Sequence, residues 1–133
     1  RPVAWVTGGA TGIGRSCARE LGKAGYTVVI SGRRETVLAE ARADLAADEI
    51  DIHALAVDVA DAAAVATAAV RILDDFGRLD LLVCSAGLNA PNRYWRDLTA
   101  EAFARVSAVN LNGVAFCVAA VLPAMREAAA LST

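Results

Sequence analysis

The chain has 133 residues, 13 of them basic and 15 acidic, and its net charge of −2 is spread along the whole length. No basic stripe points to nucleic acid and no acidic tail points to a solvating arm, so the expected partners are small molecules and further copies of the chain. Hydrophobic residues make up 56%, with only two Trp, two Tyr and three Phe, which suits one alanine-rich core and a single domain over residues 1–133.

Charges interrupting the apolar stretches argue for a soluble chain rather than a membrane span. Cys17, Cys84 and Cys117 are odd in number and lie far apart in apolar segments. That pattern fits reduced core cysteines and a cytoplasmic location better than a disulfide frame or a zinc site.

In chain order, Arg1-Pro2 stands directly ahead of an apolar run, so a few leading residues are expected before it. Val3 to Thr7 is predicted as the first strand, followed by a glycine-rich turn and a helix that ends at Gly25. Thr27 to Ser31 is the second strand, and Glu35 begins the next helix, where a carboxylate suits the dipole. Ile52 to Val57 is the third strand and contains the single histidine, His53, in a structural role. From Asp61 to Phe76 a helix carries Val65, Ala69, Ile72 and Phe76 as one buried stripe, with Gly77 as its left-handed stop.

Leu79 to Ser85 is the fourth strand, and Leu88 to Leu98, with Pro91 and Asn92, is an irregular connection. A last helix from about Thr99 to Pro123 places Phe103, Val106, Val114, Cys117 and Val121 along one side. Asn110 falls on the same stripe, so it is expected to face the packed side and find polar partners there. Strands alternating with helices imply a doubly wound parallel α/β sheet, a Rossmann fold, cut short before its last strands.

The glycine turn admits two readings. Gly8, Gly12 and Gly14 have the spacing G-x-x-x-G-x-G, which suits a dinucleotide pyrophosphate on a helix N-terminus. Gly9 to Ser16 also comes close to the phosphate loop of nucleoside triphosphatases, with Asp58 at a strand end as a candidate magnesium ligand. Against the second reading, Arg15 stands where that loop needs a lysine.

Thr7-Gly8-x-x-x-Gly12-Ile13-Gly14, Asp58-Val59, Ser85-Ala86-Gly87 and Val109-Asn110-Leu111-Asn112-Gly113 occur in that order, and together they resemble the short-chain dehydrogenases/reductases. Leu122 to Arg126 resembles the end of that family's long central helix. The resemblance implies an oxidoreductase that moves hydride between a nicotinamide and a carbonyl or alcohol substrate, working as a dimer or tetramer. It puts Gly8, Thr11, Gly12, Ile13 and Gly14 around the pyrophosphate, Asp58 and Val59 beside the adenine, and Ser85, Ala86 and Gly87 under the ribose and nicotinamide. Asn110 matches an asparagine of the family's catalytic tetrad, which holds a helix distortion and a water.

Where relatives more often show Asn-Asn-Ala-Gly, this chain has Cys84-Ser85-Ala86-Gly87. It lacks an amide side chain there, while the close backbone approach is still expected. Gly32 occupies the place where NAD-preferring relatives put an acid, and Arg33 and Arg34 follow it. A guanidinium there suits a ribose 2′-phosphate, so NADP(H) is expected over NAD(H), with NAD(H) use still open.

The family's tyrosine and the lysine four residues after it are not among these residues, since Tyr26 and Tyr94 have no such lysine and Lys23 is the only lysine. Two readings follow: the N-terminal portion of a longer reductase, or a non-catalytic NADP-binding module. With no cluster of ligands, no metal site is expected.

Overall fold

The computed structural model describes residues 1–90 and 94–132. Pro91, Asn92 and Thr133 therefore lie outside the described residues. Four parallel strands, β1 (Val3–Thr7), β2 (Thr27–Gly32), β3 (Ile52–Ala56) and β4 (Leu81–Cys84), form one sheet in the order β3-β2-β1-β4. The helices α1 (Gly12–Lys23), α2 (Glu35–Ala46), α3 (Ala62–Phe76), α4 (Ala100–Ser107) and α5 (Gly113–Ser132) connect or follow them. Each strand lies within two residues of its expected bounds at either end. The fourth shows the largest difference, because Leu79 and Asp80 precede the ladder and Ser85 leaves it.

Strand alternation sorts the core into two layers. Val3, Trp5 and Val29 point to the layer of Val65, Ile72, Cys117 and Val121 from α3 and α5. Val6, Val28 and Ile30 point to the layer of Ala18, Leu38 and Leu45 from α1 and α2. Every residue of β1 is buried, as a central strand with helices on both faces requires. The stripe on α3 holds: Val65, Ala69 and Ile72 are buried and Phe76 packs against them. Gly77, at φ 75°, closes the helix with its N–H on the Leu73 carbonyl at 2.8 Å.

The last helix departs from expectation. A π-helical turn, Ala108–Asn112, separates α4 from α5, and α5 continues through Pro123 to Ser132. Each extra residue in a turn rotates the following face by about 100°, so one stripe cannot run through it. Phe103 is 58% exposed and Val114 37% exposed, whereas Cys117 and Val121 are buried. Residues 106–125 also contain no charged side chain, contrary to the expectation that charges interrupt every apolar stretch. The helical segment Ala100–Leu131 is long and apolar enough to cross a membrane. In the fold it lies on the sheet layer through Val109, Cys117 and Val121.

Polar contacts fix the sheet at the end opposite its carboxyl ends. Asp80 accepts the Val3 N–H at 2.8 Å, the Asp80 N–H returns to the Val3 carbonyl at 2.9 Å, and Arg78 grips the carboxylate through Nε and Nη2 at 2.8 and 2.7 Å. The Arg78 guanidinium, helped by the Val3 N–H, holds the Asp80 carboxyl below the usual range, against a desolvation that acts the other way. A depressed carboxyl contributes stability above its unfolded value and loses it as pH falls through its folded one. Asp80→Asn should lower stability at pH 7 by roughly 1 kcal/mol, the worth of one ordinary hydrogen bond. The variant should also lose less stability than the parent on acidification below the carboxylate range. Urea melts from pH 7 to pH 2 measure both, and parallel pH slopes would remove Asp80 from the acid response.

Candidate functional site

The site begins where β1 ends. Gly8, at φ 66°, turns the chain so close to the exit of β4 that an added Cβ would stand 2.6 Å from the Ala86 nitrogen and 2.7 Å from the Ser85 carbonyl carbon. A Cβ on Gly14 would stand 2.1 Å from the Gly8 carbonyl oxygen. The turn is thus wedged between β4 and the first turn of α1, and only residues without side chains fit. The Ser85 N–H completes the contact on the Thr7 carbonyl at 3.1 Å. The close backbone approach survives without an amide at Ser85.

α1 starts at Gly12, which has φ 54° and nothing within 4 Å of the place a Cβ would take. Its N-cap, Thr11, makes no side-chain cap hydrogen bond, and its first turn holds no acidic residue. Three other helices are compensated. Glu35 opens α2, Asp61 caps α3 through the Ala64 N–H, and Thr99 caps α4 with Glu101 beside it. The N-terminus of α1 therefore keeps unmatched N–H groups and positive dipole beside open space.

A cleft runs from this turn across the carboxyl ends of all four strands. Gly8 and Thr11 form one end, Arg33 and Arg34 the side beyond β2, Asp58 and Val59 the side beyond β3, and Ser85, Ala86 and Gly87 the floor beyond β4. Nine of the residues singled out in the sequence thus meet in one cleft. Gly12, Ile13 and Gly14 do not line it: Gly14 is buried beneath Gly8, and Ile13, 79% exposed, stands at the start of α1.

Sequence reasoning did not single out Ala10, Ser31, Val37, Val57, Leu88 and Val109 as lining residues. Val57 could have been found from its strand-end position two residues before Val59. Val109 was hidden because the π-helical turn presents it.

The charges around the cleft are unequal. Arg33 and Arg34 are exposed and have no ion-pair partner among the described residues. Arg15 pairs with Asp44, and Arg19 reaches Asp44 at 3.1 Å and Asp48 at 2.7 Å. Arg15 is therefore committed to α2 and is not aimed at a phosphate on the glycine turn. Asp58 Oδ1 accepts the Ala60 N–H at 3.0 Å, a turn-forming contact at the cleft edge. The arrangement can take one anion at the start of α1 and another at the arginines, with Val37, Val57 and Val59 offering apolar surface between the strand ends.

Asn110 is exposed, which corrects the expectation that it faces the packed side. It still finds its partners. Its Oδ1 accepts the Leu88 N–H at 2.7 Å and its Nδ2 donates to the Leu88 carbonyl at 2.8 Å. The amide thus pairs with backbone just beyond β4, from the middle of the π-helical turn.

Outside the cleft, His53 Nε2 contacts Asp51 Oδ1 at 2.8 Å and its ring meets Phe76 edge-on, a structural setting. Cys17, Cys84 and Cys117 are free thiols. No cluster of metal-ligating side chains occurs among the described residues.

The family model for short chain dehydrogenases matches residues 2–130. The 2-dehydro-3-deoxy-L-rhamnonate dehydrogenase (NAD(+)) of Sphingomonas sp. (strain SKA58) is 36% identical over 92% of this chain and 47% of its own length. A metagenomic short-chain oxidoreductase solved in complex with NADP superposes with a TM-score of 0.89 at 31% identity, covering 96% of this chain and 57% of that one. A short chain dehydrogenase/reductase from Burkholderia phymatum in complex with NAD gives 0.88 at 31% identity, covering 93% and 44%. This chain spans about half the length of these relatives. With the ordered motifs, the parallel sheet and the match over nearly every residue, the chain belongs to the short-chain dehydrogenase/reductase family of oxidoreductases.

Proposed function

We propose that the cleft binds NADP(H) and that the chain is the cofactor-binding, N-terminal portion of a reductase acting on a small carbonyl or alcohol. The observation carrying this reading is the pair of arginines, Arg33 and Arg34, without ion-pair partners among the described residues, at the end of β2. Gly32 precedes them with no carboxylate to accept a ribose 2′-hydroxyl, so a 2′-phosphate is the better match. The relatives divide between NADP and NAD, so the preference rests on this chain's own residues.

The residues fit the cofactor. Open space at Gly12 and the uncapped N-terminus of α1 suit the pyrophosphate, Val59 and Asp58 would hold the adenine, and Ala86 and Gly87 would support the ribose and nicotinamide. A bound nicotinamide supplies hydride exchange with a substrate carbon. Asn110 holds the backbone at Leu88, which keeps the floor of the cleft in register with the π-helical turn. Proton transfer falls to a tyrosine and lysine of the longer protein. The exposed apolar residues Leu111, Val114, Val118 and Leu122 on one side of the last helix suit packing against a second copy.

Titration with NADPH, NADH and Mg-ATP, followed by nicotinamide fluorescence and calorimetry, tests the reading. NADPH should bind most tightly and Mg-ATP weakly. Tight Mg-ATP binding without an NADPH response would overturn it. Arg33→Asp should move the preference toward NADH by at least about tenfold, the scale of one charge-assisted hydrogen bond. An unchanged NADPH to NADH ratio would take Arg33 out of the 2′-phosphate contact. Asn110→Ala should weaken binding of both dinucleotides by a similar factor, about three- to tenfold, because the Leu88 clamp serves the floor rather than the phosphate. Isothermal titration of the variant with each cofactor checks that equality.

A further inference from the structure

β1 carries a tryptophan at its centre. Trp5 is fully buried, and its indole N–H, which can only donate, needs an acceptor inside the core. It finds the Ser31 hydroxyl, donating from Nε1 to Oγ at 2.8 Å. In the ladder Trp5 is opposite Val29 and Thr7 is opposite Ser31, so the indole reaches two residues along the neighbouring strand toward its carboxyl end.

Ser31 is held a second time, because its carbonyl accepts the Gly9 N–H of the glycine turn at 3.2 Å. Beyond it lies Gly32, where an added Cβ would meet nothing closer than 3.9 Å. Gly32 is the last paired residue of β2, opposite Ala56, and its carbonyl accepts the Val57 N–H at 3.0 Å before the chain passes directly to Arg33 and Arg34. A fixed serine one residue ahead of that paired strand end sets where the following guanidinium can go. The same serine ties that position to the turn that faces the start of α1.

We propose that the buried Trp5–Ser31 hydrogen bond is a positioning device for the cofactor's adenosine end, fixing the end of β2 so that Arg33 reaches the ribose 2′-phosphate. The inference rests on the NADP(H) reading of the cleft. Trp5 and Ser31 are positioning residues, because the contact they govern is made by Arg33.

The test compares the parent chain with Trp5→Phe, which keeps a ring and removes the N–H, with Ser31→Ala, with the double variant, and with Ser31→Thr, which keeps a hydroxyl. Dissociation constants are measured for NADPH, NADH and adenosine 2′,5′-bisphosphate, alongside thermal melting. Trp5→Phe and Ser31→Ala should each weaken NADPH and the bisphosphate about fivefold, the scale of one hydrogen bond, and leave NADH within about twofold. The double variant should be no worse than either single one, since both remove the same bond. Ser31→Thr should restore the parent ratio.

A drop in melting temperature with an unchanged NADPH to NADH ratio would overturn the proposal and leave the bond a core contact only. So would additive effects in the double variant. If Trp5→Phe does not fold, Ser31→Ala alone decides between the same outcomes. A parent chain that binds neither dinucleotide defeats the cofactor reading and this inference with it, whereas a parent that binds NADPH beside variants of unchanged ratio defeats this inference alone.

Discussion

The site depends on a place where no side chain fits. β1 leaves the sheet through Gly8, which lies against the backbone of Ser85 and Ala86, and Gly14 closes on the Gly8 carbonyl from the other side. A methyl group at either glycine would overlap backbone atoms, which have little freedom to move in a parallel sheet buried on both faces. This contact sets the distance between the β1 and β4 exits and brings α1 to the sheet with its N-terminus beside the cleft. It lies next to the junction where the strand order reverses, because β2 and β3 extend the sheet on one side of β1 and β4 on the other.

Charge then separates two readings of the same glycines. A phosphate loop needs a cation just inside the helix, directed at the terminal phosphates. Here Arg15 leans away to Asp44, and Arg19 joins it with Asp44 and Asp48. These exposed, solvent-screened pairs contribute little stability. Their importance is geometric, since they remove α1's arginines from the ligand side. Among the described residues, the cleft cations without an ion-pair partner are at the end of β2. Positive potential is therefore divided between an uncapped helix start and an arginine pair, a division that suits a ligand with two separated anionic groups better than one with a single polyphosphate chain.

How far the sequence disclosed this differs between elements. The strands and α3 were legible because their apolar periods are unbroken: alternation decides which face Val28 and Val29 take, and Val65, Ala69 and Ile72 keep one helical face. The cleft was legible where a motif residue sits at a strand end, as at Gly8, Asp58 and Ala86. Residues 99–132 were legible as helix, with Cys117 and Val121 on its buried side, but the face of their first half was not, because periodicity assumes a constant turn and the π-helical segment breaks it. Phe103 and Val114 were put on the buried side by counting across that break. Trp5 and Ser31 were read as ordinary strand residues, because a cross-strand bond between positions not directly opposite leaves no trace in either strand's own pattern.

Asn110 shows why a distorted helix belongs beside this cleft. A regular α-helix turns every backbone N–H and C=O inward along its own axis and offers a neighbouring segment only side chains. Beyond Cys84 and Ser85 the chain leaves the ladder, so Leu88 has neither a β1 partner nor a helix of its own. The Asn110 amide carries one acceptor and one donor side by side, the same pair that an adjacent strand would present, and it meets both groups of Leu88. The side chain thus continues the hydrogen bonding of the sheet by one step where backbone no longer can. Carried on the π-helical turn, it ties the position of the cleft floor to the last helix, so a change in how that helix packs reaches Leu88 and the floor residues beside it.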